Sequence, residues 1–124
     1  MAHFIEIKTK KDERGFLSVI ESIRDIPFEI KRIFYIYGVG KNAVRGGHRH
    51  KRTRMVLICV SGSCVVVTNN GSCEKSYLLD SPKKGLLLEP EDFHKMHDFK
   101  KDTVLLTLAS EYYDQDDYIH EDYK

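Results

Sequence analysis

His48 and His50 stand two residues apart in Arg45-Gly46-Gly47-His48-Arg49-His50-Lys51. Imidazole has an ordinary pKa close to neutrality, so it can take and return protons or offer a lone pair to a metal. Side chains alternate along an extended strand. A spacing of two therefore aims both rings at one face, while Arg49 and Lys51 face the other. Gly46 and Gly47 just before the pair permit close backbone approach, which a bare surface strand would not need. The pattern predicts two bases converging on one cavity. His94 and His97 follow at an odd spacing, so in a strand only one of them can share that cavity. His94, just after Pro90-Glu91-Asp92-Phe93, is the one assigned to it.

The elements that must hold these rings read as short strands. Runs rich in Val, Ile, Leu, Tyr and Phe are predicted at Phe4–Lys8, Phe16–Glu21, Ile30–Tyr37, Gly47–Lys51, Met55–Val60, Cys64–Thr68, Cys73–Leu79, Gly85–Glu89, Lys95–Phe99 and Thr103–Ala109. Turn residues separate them, and Asn70-Gly71 is the strongest hairpin signal. No 3.6-residue period is sustained, so helix should be minor. Met55–Val60 and Cys64–Val67 are apolar at both parities, as in strands covered on both faces. The fold class predicted is all-β, a closed or two-layered jelly roll, with residues 1–124 as a single domain. Arg32 shares its strand face with Phe34 and Ile36, and a charge on such a face points to a buried ligand or partner.

Composition excludes several classes. The chain has 124 residues, 20 basic and 19 acidic, with a net charge of +1. That balance argues against a general nucleic-acid binder. Charge is unevenly placed, however: Lys41 to Arg54 contains six cations and no acid, and the segment from Glu111 onward is acidic. No apolar run approaches the roughly 20 residues of a membrane helix, and the N-terminus lacks a secretory pattern. The 3 cysteines make no disulfide framework. A reducing, cytoplasmic setting is expected.

A metal site is the rival to acid–base chemistry. Metal-binding cupins typically follow His-x-His with a carboxylate four or five residues after the second His. Here Arg54 and Met55 occupy those places, and Pro90-Glu91-Asp92-Phe93-His94 replaces the usual later motif, one residue short and without its glycine. No metal cofactor is expected on these grounds.

The motifs together resemble the dTDP-4-keto-6-deoxy-glucose 3,4-ketoisomerases, cupins of one family. The resemblance is carried by Arg45 to Lys51, Ser61-Gly62-Ser63-Cys64, Leu79-Asp80-Ser81-Pro82, Phe93 to Phe99 and Ala109-Ser110-Glu111-Tyr112-Tyr113-Asp114, in order and spacing, from Ile5 to about Ile119. It implies a cupin jelly roll, a homodimer with exchanged N-terminal strands, and no cofactor. It implies a dTDP-linked 4-keto-6-deoxy sugar as substrate, and an enediol route to a 3-keto sugar that feeds a 3-amino-3,6-dideoxy sugar. His48 resembles the base at C3, and His50 the relay between the C3 and C4 oxygens. Tyr35 matches a tyrosine near the sugar. Arg14 and Arg45 are candidates for sugar or diphosphate, since guanidinium binds phosphate oxygens bidentately. Arg14 and His94 resemble the branch that forms 3-keto-6-deoxy-galactose; the other branch tends toward Tyr and Arg there. Met55 departs from the Gln of many relatives. The alternatives are the 3-keto-6-deoxy-glucose product, a nucleotide-sugar 3,5-epimerase, and a non-catalytic cupin that binds a sugar or metal as a sensor.

Overall fold

Met55 to Cys59 are all buried, and this run organises the molecule. Alternation sends Met55, Leu57 and Cys59 to one side of their sheet and Val56 and Ile58 to the other. Each side meets its own apolar cluster. The computed structural model describes residues 1–124. Its strands are β1 (His3–Glu6), β2 (Lys8–Asp12), β3 (Gly15–Val19), β4 (Arg32–Tyr37), β5 (Arg45–His50), β6 (Met55–Ser61), β7 (Cys64–Asn69), β8 (Glu74–Leu79), β9 (Lys84–Leu88), β10 (Phe93–His97), β11 (Val104–Ala109) and β12 (Tyr118–Ile119). The only helical element is a 3-10 turn at Gln115–Asp117.

Two five-stranded antiparallel sheets face each other, in the orders β1-β9-β6-β11-β4 and β12-β5-β10-β7-β8, and β2-β3 forms a separate hairpin. A cluster of 14 buried residues fills the space between the sheets, drawing Leu57, Leu86 and Leu105 from the first and Val66, Leu79 and Met96 from the second. The outer face of the first sheet is covered by Ile7, Ile26 and Phe28, which pack on Val56, Ile58, Leu87 and Leu108. Burial of both faces explains why β6 lacks alternation. In β7 only Cys64, Val66 and Thr68 are buried, so that strand is covered on one face, unlike the two-sided burial predicted for it.

The Asn70-Gly71 signal marks the β7–β8 hairpin, with Asn69 opposite Glu74. Asn70 shapes the turn through its side-chain oxygen, which accepts from the amides of Ser72 and Cys73, both at 2.9 Å. The predicted Phe4–Lys8 run ends early, since β1 stops at Glu6 and a new strand begins at Lys8. Lys95–Phe99 is shifted: the strand runs Phe93–His97, which places His94 within a ladder, opposite Thr68.

Candidate active site

Strand β5 carries His48 and His50, and β10 lies against it with His94 opposite His48. The approach is close because Gly46 has no side chain. A Cβ there would stand 2.8 Å from the His94 carbonyl oxygen and 3.3 Å from Lys95 Cα, and Gly46 has φ +85°. A bulge between His94 and Lys95 absorbs the mismatch between the strands. The glycine is thus what lets the three rings meet. Gly46→Ala is expected to cost about 2–3 kcal/mol of stability from positive φ and overpacking together. Urea unfolding would show this, together with a loss of activity as β10 is pushed away from β5.

The rings form one cluster. His48 lies 4.8 Å from His94 and 5.2 Å from His50, centroid to centroid, and both contacts are edge-on. His50 and His94 stack at 6.0 Å. His50 and His94 are buried and His48 is half-buried. The Nδ1 of His94 is 3.1 Å from the Asp92 carbonyl oxygen, which can only accept, so this nitrogen carries the proton and Nε2 keeps its lone pair. The same logic fixes His50, whose Nδ1 donates to Asp117 Oδ2 at 2.9 Å. Its Nε2 is buried with no partner. An orphaned lone pair inside a protein is costly, and its presence here marks a place for a ligand.

Burial holds all three rings neutral. It pushes the His48 pKa down to about 4, helped by His94 and His120. Burial also brings His50 to about 4, with Asp117 resisting and His48 and Arg32 assisting. His94 falls to about 4 from burial, against the hydrogen bond to Asp92 and with help from His50. A neutral ring is a competent base at pH 7. Stability follows with a definite sign. For His94 the unfolded chain binds a proton near pH 6.5 and the folded one only near 4, so its contribution is complete above about 6.5 and is lost as pH falls toward 4. At 1.36 kcal/mol per unit the limit is about 3 kcal/mol for one ring. Urea midpoints between pH 4 and 8 should show that slope, and His94→Gln should reduce it.

The segment after the last long strand completes the site. Asp117 is buried at the end of the 3-10 turn, and Tyr118 and Ile119 pair with His50 and Arg49. Burial alone would raise the Asp117 pKa, but the Thr53 hydroxyl, the Arg52 amide at 2.7 Å and His50 together hold it below the usual range. It is therefore a carboxylate, placed to accept from His50. The Tyr118 ring sits 4.8 Å from His48 and 4.6 Å from His50. Its hydroxyl is 3.4 Å from Arg32 Nη1. Arg32 lies on the inner face of β4 beside Phe34, its guanidinium 5.4 Å from that ring, and its Nε is buried without a partner. Thr107 also keeps a buried, unpartnered hydroxyl on the inner face of β11, between Leu105 and Ala109.

The structure thus gathers His48, His50, His94 and Arg32. It does not bring the other predicted residues to them within this chain. Tyr35 points outward from β4, 61% exposed, and stacks on Tyr37. Arg14 caps the β2–β3 hairpin with its side chain 85% exposed and paired to Asp12 at 2.7 Å. Arg45 is exposed at the start of β5. Asp117, Tyr118 and Thr107 were not found from the sequence.

The cluster also has the makings of a metal site. One ligand atom from each of His48, His50 and His94 lies within 4.8 Å of the others. Arg54, which in the sequence opposes a metal, is turned aside: its Nη2 donates to Glu89 at 2.8 Å and its Nη1 to the Pro27 carbonyl. The residues therefore fit either proton transfer or coordination.

Residues 1–124 match the family described as FdtA: WxcM-like, C-terminal. The chain is 44% identical over 117 residues to a TDP-4-oxo-6-deoxy-alpha-D-glucose-3,4-oxoisomerase from Aneurinibacillus thermoaerophilus, covering 94% of this chain and 84% of that protein. It superposes with a TM-score of 0.94 on the sugar 3,4-ketoisomerase QdtA from Thermoanaerobacterium thermosaccharolyticum bound to TDP, at 43% identity, over 97% of this chain and 88% of that one. A QdtA variant with a tyrosine replaced by arginine and an arginine by histidine is 45% identical, with 97% of this chain and 87% of that one covered, at TM-score 0.94. A His-to-Asn variant bound to TDP-4-keto-6-deoxyglucose is 42% identical at the same coverage and TM-score. NovW, a 4-keto-6-deoxy sugar epimerase from Streptomyces spheroides, is 18% identical and shares the fold alone, with a TM-score of 0.80 over 94% of this chain and 67% of that one. With a full-length family match and close relatives named for one reaction, the chain belongs to the FdtA family, and it is a sugar 3,4-ketoisomerase built on the cupin jelly roll.

Proposed function

We propose that the chain converts dTDP-4-keto-6-deoxy-glucose to dTDP-3-keto-6-deoxy-galactose through an enediol. His48 removes the C3 proton, and its electron pair forms the C3–C4 double bond as the C4 oxygen is protonated. Loss of the C3 hydroxyl proton and addition of a proton at C4 complete the exchange. His50 is suited to the oxygen-to-oxygen relay, because Asp117 behind it stabilises the imidazolium that forms when it takes a proton. Arg32 and Tyr118 offer charge and a donor to the developing enediolate. Oxidation at C3 balances reduction at C4, so the reaction needs no external hydride carrier and no cofactor. The observation that carries this reading is the orphaned, buried Nε2 of His50, backed by a carboxylate.

Incubation with dTDP-4-keto-6-deoxy-glucose in D2O, followed by NMR, tests it. Deuterium at C4 of a 3-keto-6-deoxy-galactose supports the proposal. Exchange at C3 and C5 indicates a 3,5-epimerase, and an unchanged sugar indicates a binding protein.

The product configuration is supported by Arg14 and His94. About 120 residues align, so each counts for about 0.8% identity. The double variant of QdtA, which gains an arginine and a histidine, stands at 45% against 43% for the unsubstituted protein, a rise in the direction that matches at those positions would give. We infer that those matches are Arg14 and His94. The combined change Arg14→Tyr and His94→Arg is expected to turn the product to the gluco configuration, and an unchanged galacto product would overturn the assignment. The product is a ketone at C3, fitted to amination there, and we place the reaction in the cytoplasm, before formation of a 3-amino-3,6-dideoxy sugar.

We also infer a homodimer. Phe16 and Leu17 on the β2–β3 hairpin, and Ile33, Tyr35 and Tyr37 on the outer face of β4, are large, apolar and exposed. Exchange of N-terminal strands between two copies would cover both groups, and would carry Arg14 and Tyr35 to the subunit boundary. Sedimentation of the native protein as a monomer would refute this.

A further inference from the structure

We propose that His48, His50 and His94 bind one zinc ion, and that bound zinc turns the enzyme off by occupying the lone pairs it needs for proton transfer. Three neutral imidazoles with no carboxylate among them suit zinc and its borderline neighbours, and suit the hard ions magnesium and calcium poorly. The rings are prepared as ligands. Nδ1 of His50 is held by Asp117 and Nδ1 of His94 by the Asp92 carbonyl, which leaves Nε2 of each ring as the free donor. Histidines that bind metals are oriented by such outer hydrogen bonds, and a carboxylate behind one strengthens it as a ligand. The His50 Nε2 is buried and unpartnered, so an ion satisfies an atom that nothing else in the chain reaches.

Distances set the adjustment required. Zinc–nitrogen bonds of about 2.0–2.1 Å in a tetrahedron need about 3.4 Å between ligand atoms, against the 4.8 Å limit here. His48 is the least buried of the three and can supply most of the movement by rotating on its strand. His120, which is exposed, lies 6.1 Å from His48 between ring centroids. Arg32, whose Nη1 lies 3.4 Å from the Tyr118 hydroxyl beside His50, brings a positive charge to the cluster that opposes a bound cation. The same residues are thus a base pair when empty and a chelate when filled.

Inhibition rests on the ketoisomerase reading; binding does not. The test uses the full chain after EDTA treatment and removal of the chelator. Cobalt(II) serves as a visible probe, and zinc is titrated against a chromophoric chelator. One equivalent per protomer is expected, with tetrahedral cobalt bands that zinc abolishes. Affinity should fall at least tenfold in His94→Gln and again in the less buried His48→Asn, each checked for folding by circular dichroism, and should hold in His97→Gln. Turnover of the wild type should fall at least tenfold as zinc saturates the site, recover with EDTA, and ignore magnesium. Absence of the bands, affinity unchanged in both His94→Gln and His48→Asn, or full activity with the site saturated would overturn the proposal. A zinc-binding protein with no isomerase activity after EDTA would instead sink the ketoisomerase reading, leaving the metal site in place.

Discussion

His48→Asn is expected to lower isomerisation by at least about a thousandfold while leaving dTDP affinity within a few-fold, given what a positioned general base contributes. Asparagine keeps the polarity and much of the volume of the ring but cannot accept a proton at neutral pH. His48 is half-buried and its ring contacts are to His50, His94, Tyr118 and His120, so its loss leaves the apolar interior intact. Calorimetric titration with dTDP beside an NMR assay of turnover separates the two effects. Joint loss of binding and turnover would make His48 a structural residue and move the carbon chemistry to another ring.

Asp117→Asn tests the relay. The wild-type carboxylate accepts from His50, from the Arg52 amide and from the Thr53 hydroxyl. An amide of the same shape can turn its NH2 toward His50 Nδ1, which forces the proton onto Nε2 and removes the lone pair from the cavity. A fall in kcat of about 10²–10³ is expected, as for other wrong-tautomer changes, with KM within a few-fold. Nitrogen-15 chemical shifts of the ring report the tautomer directly. A variant with normal shifts and kcat within threefold of wild type would remove Asp117 from the mechanism. A purely structural role would lower stability without moving the tautomer.

Much of this site was legible in the residues. Spacing alone put His48 and His50 on one face, and the glycines before them forecast a close approach that Gly46 makes to His94 and Lys95. Alternation also put Arg32 inside with Phe34 and Ile36. The same alternation puts Tyr35 outside, so its assignment to the sugar rested on resemblance, and within this chain it lies on the outer surface. Asp117 was hidden for a different reason. It lies in acidic text beside a strand of two residues, Tyr118–Ile119, too short to show any period. Its role comes from contacts with residues more than sixty positions earlier, which no local pattern carries. Arg54 shows the limit of proximity in sequence: near the histidines along the chain, its guanidinium is held by Glu89 and the Pro27 carbonyl.

The order in which the site is assembled follows from the place of β12. Both histidines of the pair are made before the middle of the chain, yet His50 is paired to Tyr118 and held by Asp117. A ribosome reading this message produces the bases early and their orienting carboxylate near the end. During synthesis the emerging jelly roll can bury its apolar interior while its relay still lacks a fixed tautomer, so catalytic competence waits for β12 rather than for the core.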